Sequence, residues 1–241
     1  QFHYCYQAGY QWLGAEQMYG PEEVILAALR GASKAWGKTD FGSHLAMQWS
    51  SAPQDTPQHA ARYFLSLATG YLHGVTHINL EEGLWRMESE YAPFDRFSRA
   101  CQLHRAAHTT FRRFLETHPR RGVQRVPLAV LKGRYCGWQC FTRLVWGSQR
   151  PEFAFGAPEE SFELLHTFFP RSVLDAIYRN GCTDDRPEGW YTGMPYGAVD
   201  IVPLAARGTL DDYLALAFLG WNTFDEEDFA HLLAYVEAGG T

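Results

Sequence analysis

Three glutamates stand where a short apolar run gives way to a turn: Glu16 at the end of Tyr10–Glu16, and Glu81 with Glu82 just after Val75–Leu80. Two carboxyl groups held on either side of a glycosidic bond can break it. One, protonated, assists the departing oxygen, and the other, ionised, attacks or stabilises the oxocarbenium-like centre. Glu16 is the candidate general acid/base and Glu82 the candidate nucleophile or stabiliser, with Glu81 as the alternate. The sequence orders these acids along a rim and leaves their separation open. Acids at such positions also serve simply to cap helices.

Aromatic residues crowd the same stretches: Tyr10, Trp12, Tyr19, Trp49 and Trp85. A sugar ring presents a face of C–H groups that packs on an indole, while its hydroxyls exchange hydrogen bonds with amides and guanidinium groups. Trp12, Trp49 and Trp85 with Gln17, Gln48, Asn79 and Arg86 are therefore the predicted carbohydrate-binding set. Trp12 taken alone also suits a packing role.

Other chemistries find less support. His104 and His108, and likewise His73 and His77, lie four apart, but no HExxH or paired CxxC accompanies them, so no metal site is expected. Cys136 and Cys140 have the wrong spacing for a redox pair and read as loop thiols. GxGxxG, GxxxxGK[ST] and GxSxG runs are absent, so no nucleotide cofactor and no serine-hydrolase chemistry is expected. An isomerase or aldolase would need a lysine or metal cluster at a strand end, and none stands out. Lys132-Gly133-Arg134-Tyr135 reads as exposed loop basicity.

A net charge of -6 and a pI near 5.9 provide no basic field for a phosphate backbone, so nucleic acid is not an expected partner. No apolar stretch reaches the roughly 20 residues of a membrane span. Five scattered cysteines in a chain of 241 residues point to reduced thiols and a cytoplasmic setting.

These residues are carried by short apolar runs that alternate with helical segments, the pattern of βα units and parallel sheets. The first unit pairs Tyr10–Glu16 with a helix opened by Pro21-Glu22-Glu23. The second pairs Phe41–Trp49 with a helix from about Pro57 to Tyr71, and the third pairs Val75–Leu80 with a helix from about Pro93 to Leu115. Acids and aromatics just past three successive strands suit the active rim of a barrel. The basic, helix-breaking stretch 118–126 marks a boundary between residues 1–120 and 121–241. Beyond it come a strand at Pro127–Arg134, helices at about 160–169 and 171–179, a strand at Ala198–Pro203, a short helix near Leu210–Tyr213, a strand at Leu214–Leu219 and a helix at Glu226–Ala238. The chain opens without methionine and stops after Gly239-Gly240-Thr241, as an internal fragment would.

Four phrases carry a family likeness: Leu72-His73-Gly74-Val75-Thr76-His77-Ile78-Asn79, Val126-Pro127-Leu128-Ala129-Val130-Leu131, Ala217-Phe218-Leu219-Gly220-Trp221-Asn222, and Leu232 through Thr241. Together the order of elements resembles glycoside hydrolases whose (β/α)8 barrel is followed by a glutamine-amidotransferase-like, flavodoxin-type domain, such as family 42 β-galactosidases and lacto-N-biose phosphorylases. The resemblance implies an α/β fold: C-terminal βα units of a barrel over 1–120, then a doubly wound parallel-sheet domain over 121–241, truncated at its C-terminus. It also implies a homo-oligomer assembled through the appended domain. In that family the acid/base follows the fourth barrel strand and the nucleophile the seventh. Here, with Val75–Leu80 as the eighth strand, the seventh ends in Gln48-Trp49-Ser50 without a glutamate. The pair is relocated to Glu16 and Glu82, or the strand count is off by one, or an acid lies outside the segment.

The leading expectation is a glycosidase acting on an oligo- or polysaccharide by a two-carboxylate mechanism. The alternative is a non-catalytic carbohydrate-binding or oligomerisation module on a degenerate barrel.

Overall fold

A computed structural model describes residues 2–17, 22–47, 53–81, 98–133, 161–170, 194–219 and 223–241. It is an α/β structure with two three-stranded parallel sheets among the described residues.

The first sheet holds β1 (Gly14–Gln17), β2 (Gly42–Leu45) and β3 (His77–Leu80), side by side in chain order. Their register pairs Glu16 with His44 and His44 with Asn79. Three helices belong to this half: α2 (Glu22–Ala35), α3 (Pro57–Leu72) and α4 (Arg99–Thr117), preceded by a short α1 (Phe2–Gln7). Thr56 caps α3 by accepting from the His59 amide, with Pro57 in its first turn, and Ser98 caps α4 by accepting from Cys101. Among the described residues, the helices pack against one face of this sheet. Strand alternation sends Ala15 and Leu45 inward, into clusters with Ile25, Leu26, Leu29, Phe41 and Val75 on one side and Met47, Tyr63, Leu67 and Ala107 on the other. The opposite face is left to Gly14, Glu16, His44, His77 and Asn79.

The second sheet runs β5–β4–β6, with β4 (Leu128–Lys132) between β5 (Val199–Pro203) and β6 (Ala215–Phe218). A 3-10 helix (Ser161–Thr167), the short α5 (Arg207–Leu210) and α6 (Glu226–Glu237) complete the described part. α6 opens with a reciprocal capping box between Asp225 and Asp228. Apolar residues fill both sides of the central strand: Val130 with Val199, Ile201 and Phe169, and Ala129 and Leu131 with Val202, Leu204 and Leu210.

α2 joins the two halves. Its run Val24-Ile25-Leu26-Ala27-Ala28-Leu29 is apolar around the whole circumference, the pattern of a helix buried on all sides. Ile25, Leu26 and Leu29 pack on the first sheet, while Val24 and Ala27 pack against Val130, Val199 and Ile201 of the second. Contact with β5 is so close that a Cβ on Gly31 would lie 2.2 Å from the Ile201 carbonyl oxygen. Next to it Arg30 donates to Asp200 at 2.6 Å and to the Val199 carbonyl at 3.0 Å, and Tyr213 donates to the other Asp200 oxygen at 2.7 Å. Asp200 and the Arg30 head are buried there, and burial beside the Asp200 charge pushes the Tyr213 phenol far above its ordinary value.

Several element boundaries differ from the sequence reading. Tyr10 and Trp12 precede β1, because Gly9 takes a left-handed turn (φ 101°) that Gln11 closes by donating to its carbonyl. The expected helix at 160–169 is a 3-10 helix, and α1, which has no cap signal in the sequence, was not expected at all. The expected helix at 171–179 lies outside the described residues.

Candidate active site

The solvent-facing side of the first sheet gathers the polar groups. Glu16 lies within β1, not beyond its end, and alternation turns it to the open face. His44 is its register partner on β2, and Glu81 continues β3 through a hydrogen bond from its amide to the Leu45 carbonyl. One carboxylate oxygen from Glu16, one from Glu81 and one ring nitrogen of His44 all lie within 4.8 Å of one another. His44 Nε2 is 3.4 Å from Glu81 Oε2, and the Asn79 amide nitrogen is 2.9 Å from His44 Nδ1. With Asn79 donating to Nδ1, the imidazole proton sits on Nε2, toward Glu81.

A second group lies one row toward the strand N-termini. Trp12 rests on the paired glycines of β1 and β2: a Cβ on Gly42 would come 2.2 Å from its ring and one on Gly14 3.1 Å. Asp40 just ahead of β2 accepts from the Thr76 hydroxyl and lies 3.1 Å from His77 Nδ1. The Trp12 ring meets the His77 ring edge-to-face, with centroids 6.1 Å apart. The Thr76 hydroxyl, and secondarily the neighbouring His77, hold the Asp40 carboxyl below its ordinary range. These residues border an open cavity of about 990 Å³ that reaches His44 and Asn79.

Of the residues singled out in the sequence, Glu16, Glu81, Asn79 and Trp12 share this face. Gln17 does not. One residue further along β1 it points to the helix side, is fully buried, and accepts from Ser43 at 2.9 Å, so it is removed from the carbohydrate-binding set. Glu82, Gln48, Trp49, Trp85 and Arg86 lie outside the described residues. His104 and His108 stay together, His104 buried and stacked between His59 and Tyr63 and His108 against the same Tyr63, whereas His73 is buried against Thr69 and its pair-mate His77 faces the cavity. His44, Asp40 and Thr76 were missed. His44 could have been found as the one titratable residue in a short strand, on the parity that faces outward, whereas Asp40 and Thr76 meet only through the pairing of β2 with β3.

Which ions this set could hold follows from its donors. One imidazole nitrogen and two carboxylates make a mixed set of the kind taken by zinc or manganese. Without an ion, the same two carboxylates can share proton-transfer and nucleophilic roles. No protein-family model, no curated protein and no solved structure matches this chain.

Proposed function

We propose that Glu16 and Glu81 are the catalytic pair of a retaining glycoside hydrolase acting on an oligo- or polysaccharide. One spacing carries this reading: their carboxylate oxygens lie within 4.8 Å on one open sheet face. Retaining enzymes hold the two groups about 5–5.5 Å apart, whereas inverting enzymes need about 6.5–9.5 Å to admit a water. On this reading the first sheet with its helices represents successive units of a barrel, and the second sheet represents the appended amidotransferase-like domain.

Glu81, with the His44 proton directed at it, attacks the anomeric carbon as the bond to the leaving oxygen breaks. Glu16 gives that oxygen its proton, and a glycosyl ester forms on Glu81. Water then loses a proton to Glu16 and attacks the same carbon, releasing the Glu81 carboxylate. Asn79 fixes the His44 ring through Nδ1.

Hydrolysis of a panel of 4-nitrophenyl glycosides tests this. Glu16→Gln and Glu81→Gln should each lower kcat by about 10²–10⁴ with unchanged circular dichroism, and azide should restore turnover to Glu81→Ala. Turnover unaffected by either Gln substitution removes the assignment.

The inclusion of His44 within the same 4.8 Å favours a second reading, a divalent-cation site on Glu16, His44 and Glu81. It predicts no glycoside turnover, and a zinc-dependent rise in Tm for the wild type that His44→Ala abolishes.

A further inference from the structure

We infer that the cavity beside the carboxylate pair is a binding subsite for a neutral pyranose ring, with Trp12 as its platform and Asp40, His77 and Asn79 as its hydroxyl partners. The inference rests on the glycosidase reading, because it assigns the ring next to the bond that is cut.

The geometry of Trp12 is the starting point. Its indole edge lies over Gly14 and Gly42, neighbours in adjacent strands, so a side chain at Gly42 would displace it and one at Gly14 would press against it. The outer edge of the six-membered ring is therefore seated on the sheet, and yet the residue remains 44% exposed. What stays exposed is an indole whose position is set twice, by the glycines below and by an edge-to-face contact with the His77 ring, centroids 6.1 Å apart. A platform fixed before the ligand arrives loses little entropy on binding.

Polar groups surround it at the places a sugar needs them. Asp40 spends one oxygen, Oδ1, on Thr76 and His77 and keeps acceptor capacity for a hydroxyl. Asp40 and Thr76 both engage His77 at Nδ1, and the His77 ring is exposed beside them. Asn79 shares the cavity wall. Along the strands Glu16 lies two residues from the Trp12-bearing row of Gly14, Gly42 and His77, about 6.6 Å, comparable with the length of one pyranose, and Glu81 lies four residues beyond His77, about 13 Å. The described residues lining the cavity include no lysine or arginine, while Asp40 lines it and Glu16 and Glu81 stand beside it. That charge pattern disfavours phosphorylated and carboxylated ligands and suits a neutral sugar.

Isothermal titration with lactose, cellobiose and maltose, using the full chain and its Glu16→Gln variant, measures the subsite apart from catalysis. At least one disaccharide should bind both proteins. Trp12→Ala should weaken binding about tenfold or more, Trp12→Phe less, and Asp40→Asn and His77→Ala by several-fold. Unchanged affinity in a folded Trp12→Ala overturns the inference. Should that variant fail to fold, wild-type affinity in both Trp12→Phe and Asp40→Asn overturns it. Adenosine binding in place of all three disaccharides also overturns it. Trp12-dependent binding without glutamate-dependent hydrolysis keeps the subsite and removes the hydrolase, whereas glutamate-dependent hydrolysis with a KM indifferent to Trp12 removes the subsite alone.

Discussion

Replacing Gly31 by alanine tests the packing that joins the two sheets. In an ordinary helix the change would stabilise by up to about 1 kcal/mol, because alanine is the better helix former. Here the new Cβ would lie 2.2 Å from the Ile201 carbonyl oxygen and 2.7 Å from its carbon, where real contacts do not fall below 3.0 Å. The atoms in the way are backbone, so no rotamer relieves them. α2 must retreat from β5 by about 1 Å, and a gap of that size forfeits a quarter to a half of each dispersion contact along the seam. Overpacking of this kind costs about 1–3 kcal/mol or more. After the helix gain is subtracted, a loss of about 2 kcal/mol remains, or a fall in Tm of about 4–8 °C for a chain of this length. Gly208→Ala is the internal control, since nothing lies within 4 Å of a Cβ there, and it should be neutral or slightly stabilising. Urea and thermal melts followed by circular dichroism read both. If Gly31→Ala melts with or above the wild type, as the control should, the close approach of α2 to β5 is wrong.

Two further perturbations probe the same seam. Arg30→Met should destabilise by about 3–5 kcal/mol in urea melts, because it strands the buried Asp200 carboxylate, and adding Asp200→Asn should recover part of the loss. His73, buried beside Arg30 and donating through Nδ1 to the Thr69 carbonyl, has its pKa pushed down to about 4, chiefly by burial. The unfolded chain takes up this proton at higher pH than the folded one, so the contribution is complete above about 6.5 and is lost as pH falls toward 4. Its size is about 3 kcal/mol. Urea midpoints at pH 7 and pH 4.5 should differ more for the wild type than for His73→Gln, and equal slopes would refute the assignment.

How far the sequence revealed this depends on the kind of interaction. Helix starts were legible where a side chain does the capping, as at Thr56 before Pro57. The run Val24–Leu29 was legible as a helix following the first strand, but its place between two sheets was not. Glu16, Asn79 and Trp12 could be nominated because acids and aromatics next to strands are conspicuous, but the face each occupies depends on register, and a shift of one residue separates Glu16 from buried Gln17. Asp40, Thr76 and His44 acquire partners only when β2 is set between its neighbours. Gly31 drew no attention in the sequence, and its use is visible only with Ile201 beside it.

Because Glu16 stands on the strand that leads into α2, the spacing of the two carboxylates is governed from the far side of that helix. On the proposed glycosidase reading, a change at Ile201 or Asp200, on the other sheet, that lets α2 drift would carry Glu16 away from Glu81 and alter reactivity without touching any group assigned to the sugar. If that reading holds, variants selected for altered glycoside turnover should arise at this remote seam as well as around the cavity.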